Sequence, residues 1–331
     1  MIITIKNLFF ILISATMLSG ISSSANAEWF KAERAIMGTA IHVELWHKNK
    51  NTANKNIERV FTEMHRIDEL MSPYKEKSEI SLINNQASRH PVKISQELFN
   101  LIQRSITISN LSHGAFDITF ASIGYMYDYR KKIIPSAKEI SEHLKSINYK
   151  HIKLNQNNQS LFFTSPGTRI DLGGIAKGYA VDNAIKILQS QGIKQAMVSA
   201  GGDTRIIGDK DGRPWLVGIR APRKKHESAV VIPLSDTAIS TSGDYERYFI
   251  KDNIRHHHII NPSTGDSARE LRSVSIIGPD STTTDALSTT IFILGLKEGM
   301  KLVASLPGIE AIIIDNHGTL HFSNGLMPAK Q

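Results

Sequence analysis

Three observations predict an α+β fold for this chain of 331 residues. Segments with period-two alternation outnumber those with helical spacing, and several follow one another with no helix between them. A doubly wound parallel sheet would need strands and helices to alternate, so mixed, largely antiparallel sheets with packed helices are expected instead. At roughly 150 residues per domain, the length fits one large domain or two intimately associated lobes.

Composition narrows the class. The chain is 41% hydrophobic and 21% charged, with an ordinary share of Gly and Pro, which excludes disordered and collagen-like chains. With no cysteine, disulfide staples, thiol nucleophiles and zinc-thiolate sites are excluded too. The 39 Lys+Arg against 31 Asp+Glu give a formal charge of +8, but they are dispersed, with no basic run of five or six. That argues against a nucleic-acid binder, while a mild positive field suits an anionic small substrate. The densest basic patch, Arg220, Arg223, Lys224 and Lys225, reads as a solvated loop.

Along the chain, Lys6, an apolar stretch from Leu8 to Leu18 and then Ala25-Asn26-Ala27 read as a secretory signal over residues 1–27, cleaved after Ala27. The stretch is short for a membrane span, which takes about 20 apolar residues, and no cysteine follows to carry a lipid. Residues 28–331 then form the mature domain, in the periplasm. Ala40 to Trp46 alternates as a strand, and Ile57, Val60, Phe61, Met64, Ile67, Leu70 and Met71 recur at helical spacing. Leu98 to Ile106 is a second helix, stopped before Ser112-His113-Gly114. Pro135 to Leu144 reads as helix and Ile152 to Phe163 as strand. Gly178 to Gln191 is a helix with Gly192 positioned for a left-handed C-terminal turn. Strands are expected at Ala196–Ser199, Trp215–Ile219, Val230–Leu234, His257–Ile260, Val274–Ile277 and Gly308–Ile314, with a helix over Asp280 to Leu294.

Several segments look too particular for scaffold. Asp171-Leu172-Gly173-Gly174-Ile175-Ala176-Lys177-Gly178 places a carboxylate, paired glycines and a lysine at a strand-to-helix junction, where backbone can approach a phosphate. It is not a Walker loop, since no GK[ST] is present. Gly201-Gly202-Asp203 and Thr241-Ser242-Gly243-Asp244-Tyr245 cluster glycines, hydroxyls and acids. His256-His257-His258 suggests a metal, but neighbours on a strand face opposite ways, so only His256 and His258 could converge. Asp285 and Thr289 lie four apart on one helix face, and oxygen ligands of that kind suit magnesium. The competing reading is an ordinary helix start with Asp280 or Ser281 as cap and Asp285 facing water.

In order, Met37-Gly38-Thr39, Met71-Ser72-Pro73-Tyr74 with Ser78-Glu79-Ile80, Gly114-Ala115-Phe116-Asp117-Ile118-Thr119, the 171–178 segment, Gly201-Gly202-Asp203, the 241–245 segment, His258-Ile259-Ile260-Asn261-Pro262-Ser263-Thr264-Gly265 and Asp285-Ala286-Leu287-Ser288-Thr289 resemble the motif series of the ApbE family, the FAD:protein FMN transferases. The resemblance runs from about Met37 to the C-terminal strand. It implies a magnesium-dependent enzyme that cleaves FAD at its pyrophosphate, moves FMN through its phosphate onto a threonine of a membrane redox subunit of the sodium-translocating NADH:quinone reductase or Rnf type, and releases AMP. It implies Asp285, Thr289 and the Gly174 carbonyl as metal ligands. Met37, Tyr74, Ala115, Phe116, Asp117, Asp171 and Lys177 match FAD-contacting positions. Tyr74 and Phe116 would offer ring surface, Asp117 and Asp171 would accept hydrogen bonds, and Lys177 would balance phosphate charge. His258 is implied as the proton acceptor, with His257 one register away. Asn261 and Ser263 depart from the family's common Asp and Arg. Two alternatives use the same segments: an FAD pyrophosphatase in which water replaces threonine, and a flavin-binding protein without turnover.

Overall fold

The two-residue turn at Met37-Gly38 sets the first register of the fold. Both residues lie in the left-handed region, φ 55° and 70°, as a hairpin turn matched to strand twist requires. It joins β1 (Glu28–Ile36) to β2 (Thr39–His47), the start of the chain as described by a computed structural model that covers residues 27–224 and 227–327. The signal segment before Ala27 and Lys225 of the basic patch lie outside the described residues.

There follow α1 (Lys50–Met71), α2 (Glu79–Gln86), β3 (Val92–Lys93), α3 (Gln96–Leu111), α4 (Ala121–Gly124), α5 (Ala137–Leu144), β4 (Ile152–Asn155), β5 (Ser160–Phe163) and α6 (Ala176–Ser190). The C-terminal half adds β6 (Ala196–Ala200), β7 (Asp203–Ile207), β8 (Trp215–Arg220), β9 (Ser228–Leu234), β10 (Ala238–Gly243), β11 (Tyr248–Lys251), β12 (Ile254–His257), β13 (Leu271–Gly278), α7 (Ser281–Ala304), β14 (Glu310–Asp315) and β15 (Leu320–Phe322). Eight strands form one sheet in the order β1-β2-β6-β7-β10-β13-β14-β15, antiparallel at every step. The α+β expectation holds.

The helices form for local reasons and are placed by burial. In α1, Ala53, Ile57, Val60, Phe61, Met64, Ile67 and Met71 make one buried stripe, and the Asn49 side chain caps the start by accepting from Thr52 N at 2.9 Å. In α6, Gly192 with φ 78° ends the helix, and Ile193 N donates back to Leu188 O at 3.1 Å. The larger core packs α1, α3 and α6 on the β1-β2-β6 end, and a second packs α7 on β13 and β14. On the sheet's opposite face, the β8–β9 hairpin covers Ile239, Ile277 and Ile312. Two apolar centres thus share one continuous sheet, and α6 and α7 meet at the seam.

Three segments differ from their expectations. Residues 152–163 form two strands, because Asn155 Oδ1 accepts from Asn157 N and Gln159 takes φ 50°, which makes a turn inside the run. The strand expected at His257–Ile260 ends at His257, opposite the first residue of β11, and the chain then turns around Asn261, whose carbonyl accepts from Gly265 N at 2.8 Å. The helix expected to stop at Leu294 continues to Ala304 through a kink at Gly295, φ 79°, where the Glu270 carboxylate accepts the freed Leu296 N–H at 2.8 Å. The basic patch is not simply solvated either. Arg223 forms a bidentate pair with the buried Asp244, tying its loop down.

Candidate active site

The strand-to-helix junction at residues 171–178 folds on itself before α6 begins. Asp171 N donates to Ile118 O at 3.0 Å, and Asp171 Oδ1 accepts from Gly173 N at 2.6 Å, which shapes the turn. No side chain caps α6. One of its free first-turn donors, Gly178 N, instead reaches Asp285 Oδ2 on α7 at 2.9 Å. Glycine is required there: a Cβ at 178 would stand 2.8 Å from the Asp285 Cβ and closer still to the Ser281 carbonyl. The bare backbone lets the two helix starts touch.

Asp182 anchors the partner helix. Its buried carboxylate accepts from Ser281 N and Thr282 N at 2.9 and 2.8 Å and pairs with Arg205 at 2.7 Å, while Asp280 caps Thr283 N. These contacts fix the rotation of α7, so Asp285 is turned inward and only 2% exposed. The solvent-facing reading of Asp285 is therefore corrected. Thr289, one turn on, lies 3.2 Å from Ser242 Oγ of β10, and a Cβ at Gly174 would be 3.3 Å from its hydroxyl. Gly174, Asp285 and Thr289 are brought together.

Lys177 completes this cluster. Its ammonium is hydrogen-bonded to Asp203 and stands 3.6 Å from Asp285. Burial, then the charge of Asp203, push the Asp285 carboxyl up to about 7. Two buried carboxylates facing one ammonium leave negative charge uncompensated, and the free donors around it are carboxylate, hydroxyl and backbone oxygen. That donor set fits a hard divalent cation. The histidine run does not: the His256 ring stacks on Phe249 at 5.4 Å, and no group of three His, Cys, Asp or Glu among the described residues is arranged to hold a metal.

The two candidate bases separate clearly. The buried His257 uses Nε2 on the Ala268 carbonyl and accepts from Ile259 N at Nδ1, 3.3 Å away. His258 donates its backbone N–H to Arg247 O at 3.1 Å, while its Nδ1 is buried without a hydrogen-bond partner. Burial, reinforced by neighbouring positive charge, pushes its imidazole down to about 3, so it is neutral at pH 7.

A family model described as the ApbE family matches residues 37–313. The chain belongs to the ApbE family. A FAD:protein FMN transferase of Vibrio cholerae is 30% identical over 320 residues, spanning 93% of each chain. One of Treponema pallidum is 29% identical over 319 residues, 91% of this chain and 88% of its own. Among solved structures, the ApbE protein of Thermotoga maritima is similar with TM-score 0.84 and 36% identity, covering 90% of this chain and 98% of that one. The flavin transferase ApbE from Vibrio cholerae gives TM-score 0.79 at 28% identity, with the same coverage.

The remaining residues of this ApbE chain divide by where they point. Tyr74 is 84% exposed at the lip of a cleft of about 400 Å³ that Arg169, Asn85 and Ser81 also line. Met37, at the β1–β2 turn, and Ala115 are both half-buried. Phe116 and Asp117 are both buried. The Phe116 ring is 3% exposed and packs against Gly174, so it backs the turn rather than offering an open face. Asp117 spends both oxygens internally, on Thr119 N and Oγ1 and on Tyr149 N, at 2.6 to 2.8 Å. It braces the 115–119 turn. Sequence reasoning passed over Asp203, Ser242 and Arg247 as site residues. Asp203 stood in the Gly201-Gly202-Asp203 segment, which the motif series included without giving the acid a role.

Proposed function

We propose that the chain is a magnesium-dependent FAD:protein FMN transferase of the periplasm, acting on a threonine of a membrane redox subunit. The meeting of Asp285, Thr289, Gly174 and Lys177 beside an unpartnered His258 carries this reading. Phosphoryl transfer needs neutralised phosphate oxygens, an aligned hydroxyl and an acceptor for its proton. Magnesium would be held by the Asp285 carboxylate, the Thr289 hydroxyl and the Gly174 backbone carbonyl, and would supply charge neutralisation on phosphate oxygens. Lys177, held by Asp203, would balance the charge of the second phosphate. Tyr74 and the adjoining cleft would take a ring of FAD, Asp171 a ribose or ring donor. His258 Nδ1, without a hydrogen-bond partner among the described residues, would take the threonine proton as the oxygen bonds to the FMN phosphorus and AMP departs with the electron pair of the broken bond. Among the described residues no helix is long and apolar enough to cross a membrane, so a membrane acceptor would be met from outside the bilayer.

The test mixes the protein, FAD, magnesium and a soluble domain bearing a Ser-Gly-Ala-Thr segment, and follows covalent flavin together with AMP. Flavin on the domain with matching AMP, lost on chelation and in Asp285→Ala, is the expected result. Free FMN and AMP without labelled domain would favour hydrolysis, and intact bound FAD would overturn both enzyme readings.

A further inference from the structure

Arg247 holds its guanidinium against the β1–β2 turn, close to the Lys177 and His258 side of the candidate site. It lies in the turn between β10 and β11, exposed, and its one hydrogen bond is a long contact, 3.5 Å, from Nη2 to the Gly38 carbonyl of the β1–β2 turn. Its nearby counterparts are all committed: Arg220 to Glu246, Arg223 and Arg255 to Asp244, and Arg269 to Asp266. Arg247 is in no ion pair among the described residues. An arginine left unpaired amid paired ones is free to take an anion from outside.

Its position is fixed from two sides. The Arg247 carbonyl accepts the His258 N–H at 3.1 Å, which holds the arginine directly across from the histidine. At the other side the guanidinium rests against Gly38, where an added Cβ would lie 3.1 Å from Nη2. Gly38 has φ 70°, so turn geometry and the close guanidinium both call for a bare backbone there. Tyr74, Asp171 and His258, on three separate segments, all lie within reach of its charge.

We propose that Arg247 is a catalytic residue that donates to the non-bridging oxygens of the FMN phosphate while that phosphate passes from AMP to the threonine. This rests on the transferase reading above. In the step, the threonine Oγ–P bond forms, the P–O bond to the AMP phosphate breaks, the bonding pair leaves on AMP, and the threonine proton goes to His258. Charge accumulates on the equatorial oxygens, and a guanidinium presents a rigid planar fork of donors to two of them, a geometry an ammonium lacks. Lys177 is hydrogen-bonded to Asp203, whereas Arg247 has no carboxylate partner among the described residues.

The experiment compares wild type, Arg247→Ala and Arg247→Lys for flavin transfer from FAD to the soluble Ser-Gly-Ala-Thr domain. Each is measured with and without added guanidinium chloride, with sodium chloride at equal ionic strength as control. Transfer in Arg247→Ala is expected to fall by about 10²–10³, mainly in kcat, and to recover at least tenfold with guanidinium but not with sodium. Arg247→Lys should recover only part of the loss. Activity within threefold of wild type in Arg247→Ala, or a loss that guanidinium does not rescue at an unchanged melting temperature, overturns the assignment. Wild type that binds FAD yet transfers nothing overturns the transferase reading itself, and the assignment with it.

Discussion

Two adjacent imidazoles carry opposite commitments. Both His257 ring nitrogens are used inside the protein, and its ring packs edge-on to Phe292 at 5.5 Å. His258 has an unpartnered Nδ1 and depends on burial to remain neutral. The substitutions should therefore separate. His258→Gln should lower flavin transfer by about 10²–10⁴, the usual size of a lost general base, while leaving the melting temperature within a degree or two. His257→Gln should lower the melting temperature, because it leaves the Ala268 carbonyl and the Ile259 N–H short of a buried partner. Paired activity assays and thermal melts check this. Equal losses of stability in the two variants would remove the distinction.

The site depends on how α6 and α7 approach, and Gly178 sets that distance. Gly178→Ala must move one helix start away from the other, costing about 1–3 kcal/mol as overpacking does. It also pulls the Gly178 N–H from Asp285 and shifts Lys177, one residue earlier. A lower melting temperature together with weaker magnesium binding by calorimetry is the expected outcome, and unchanged metal affinity would show that the approach is not critical. None of this could be read from spacing, because the Gly178–Asp285 contact joins residues 107 apart in sequence. What was legible is what is local: the α1 stripe, the Gly192 stop, and strands such as β2 and β6 with clear alternation. β10 was missed because its sequence, Ala238 to Gly243, is mostly small and hydroxylated yet buried, its hydroxyls satisfied by Thr284, Ser275 and Ser288 from other elements. Asp203 was passed over for the same reason, since Lys177 gives it meaning only after folding. Asp285 and Thr289 were legible as one helix face through their four-residue spacing, but the burial of Asp285 follows from Asp182, a residue with no motif of its own.

Across the molecule, these site groups make stability depend on pH in opposing ways. Asp285, raised from an ordinary 3.8 to about 7, holds a proton in the folded chain that the unfolded chain has released. Its contribution therefore falls as pH rises between those values. His258, lowered from 6.5 to about 3, stays neutral in the folded chain while the unfolded chain takes a proton, so its contribution rises with pH over that interval. Between about pH 4 and 6.5 the two slopes oppose each other. Above about pH 7 the metal-free protein retains the full cost of an ionised, buried Asp285. Asp285→Asn removes that cost and keeps the shape, so without metal the variant should melt close to wild type at pH 5 and clearly higher at pH 8. Magnesium in millimolar excess should raise the wild-type melting temperature at pH 8 by binding only the folded state, and leave the variant unmoved. A stability gap of equal size at pH 5 and pH 8 would mean that Asp285 does not titrate in this range. A magnesium shift retained in the variant would place the cation elsewhere. The same uncompensated charge that destabilises the protein at neutral pH is what would draw the metal in, so lower stability without the ion and affinity for it have one cause.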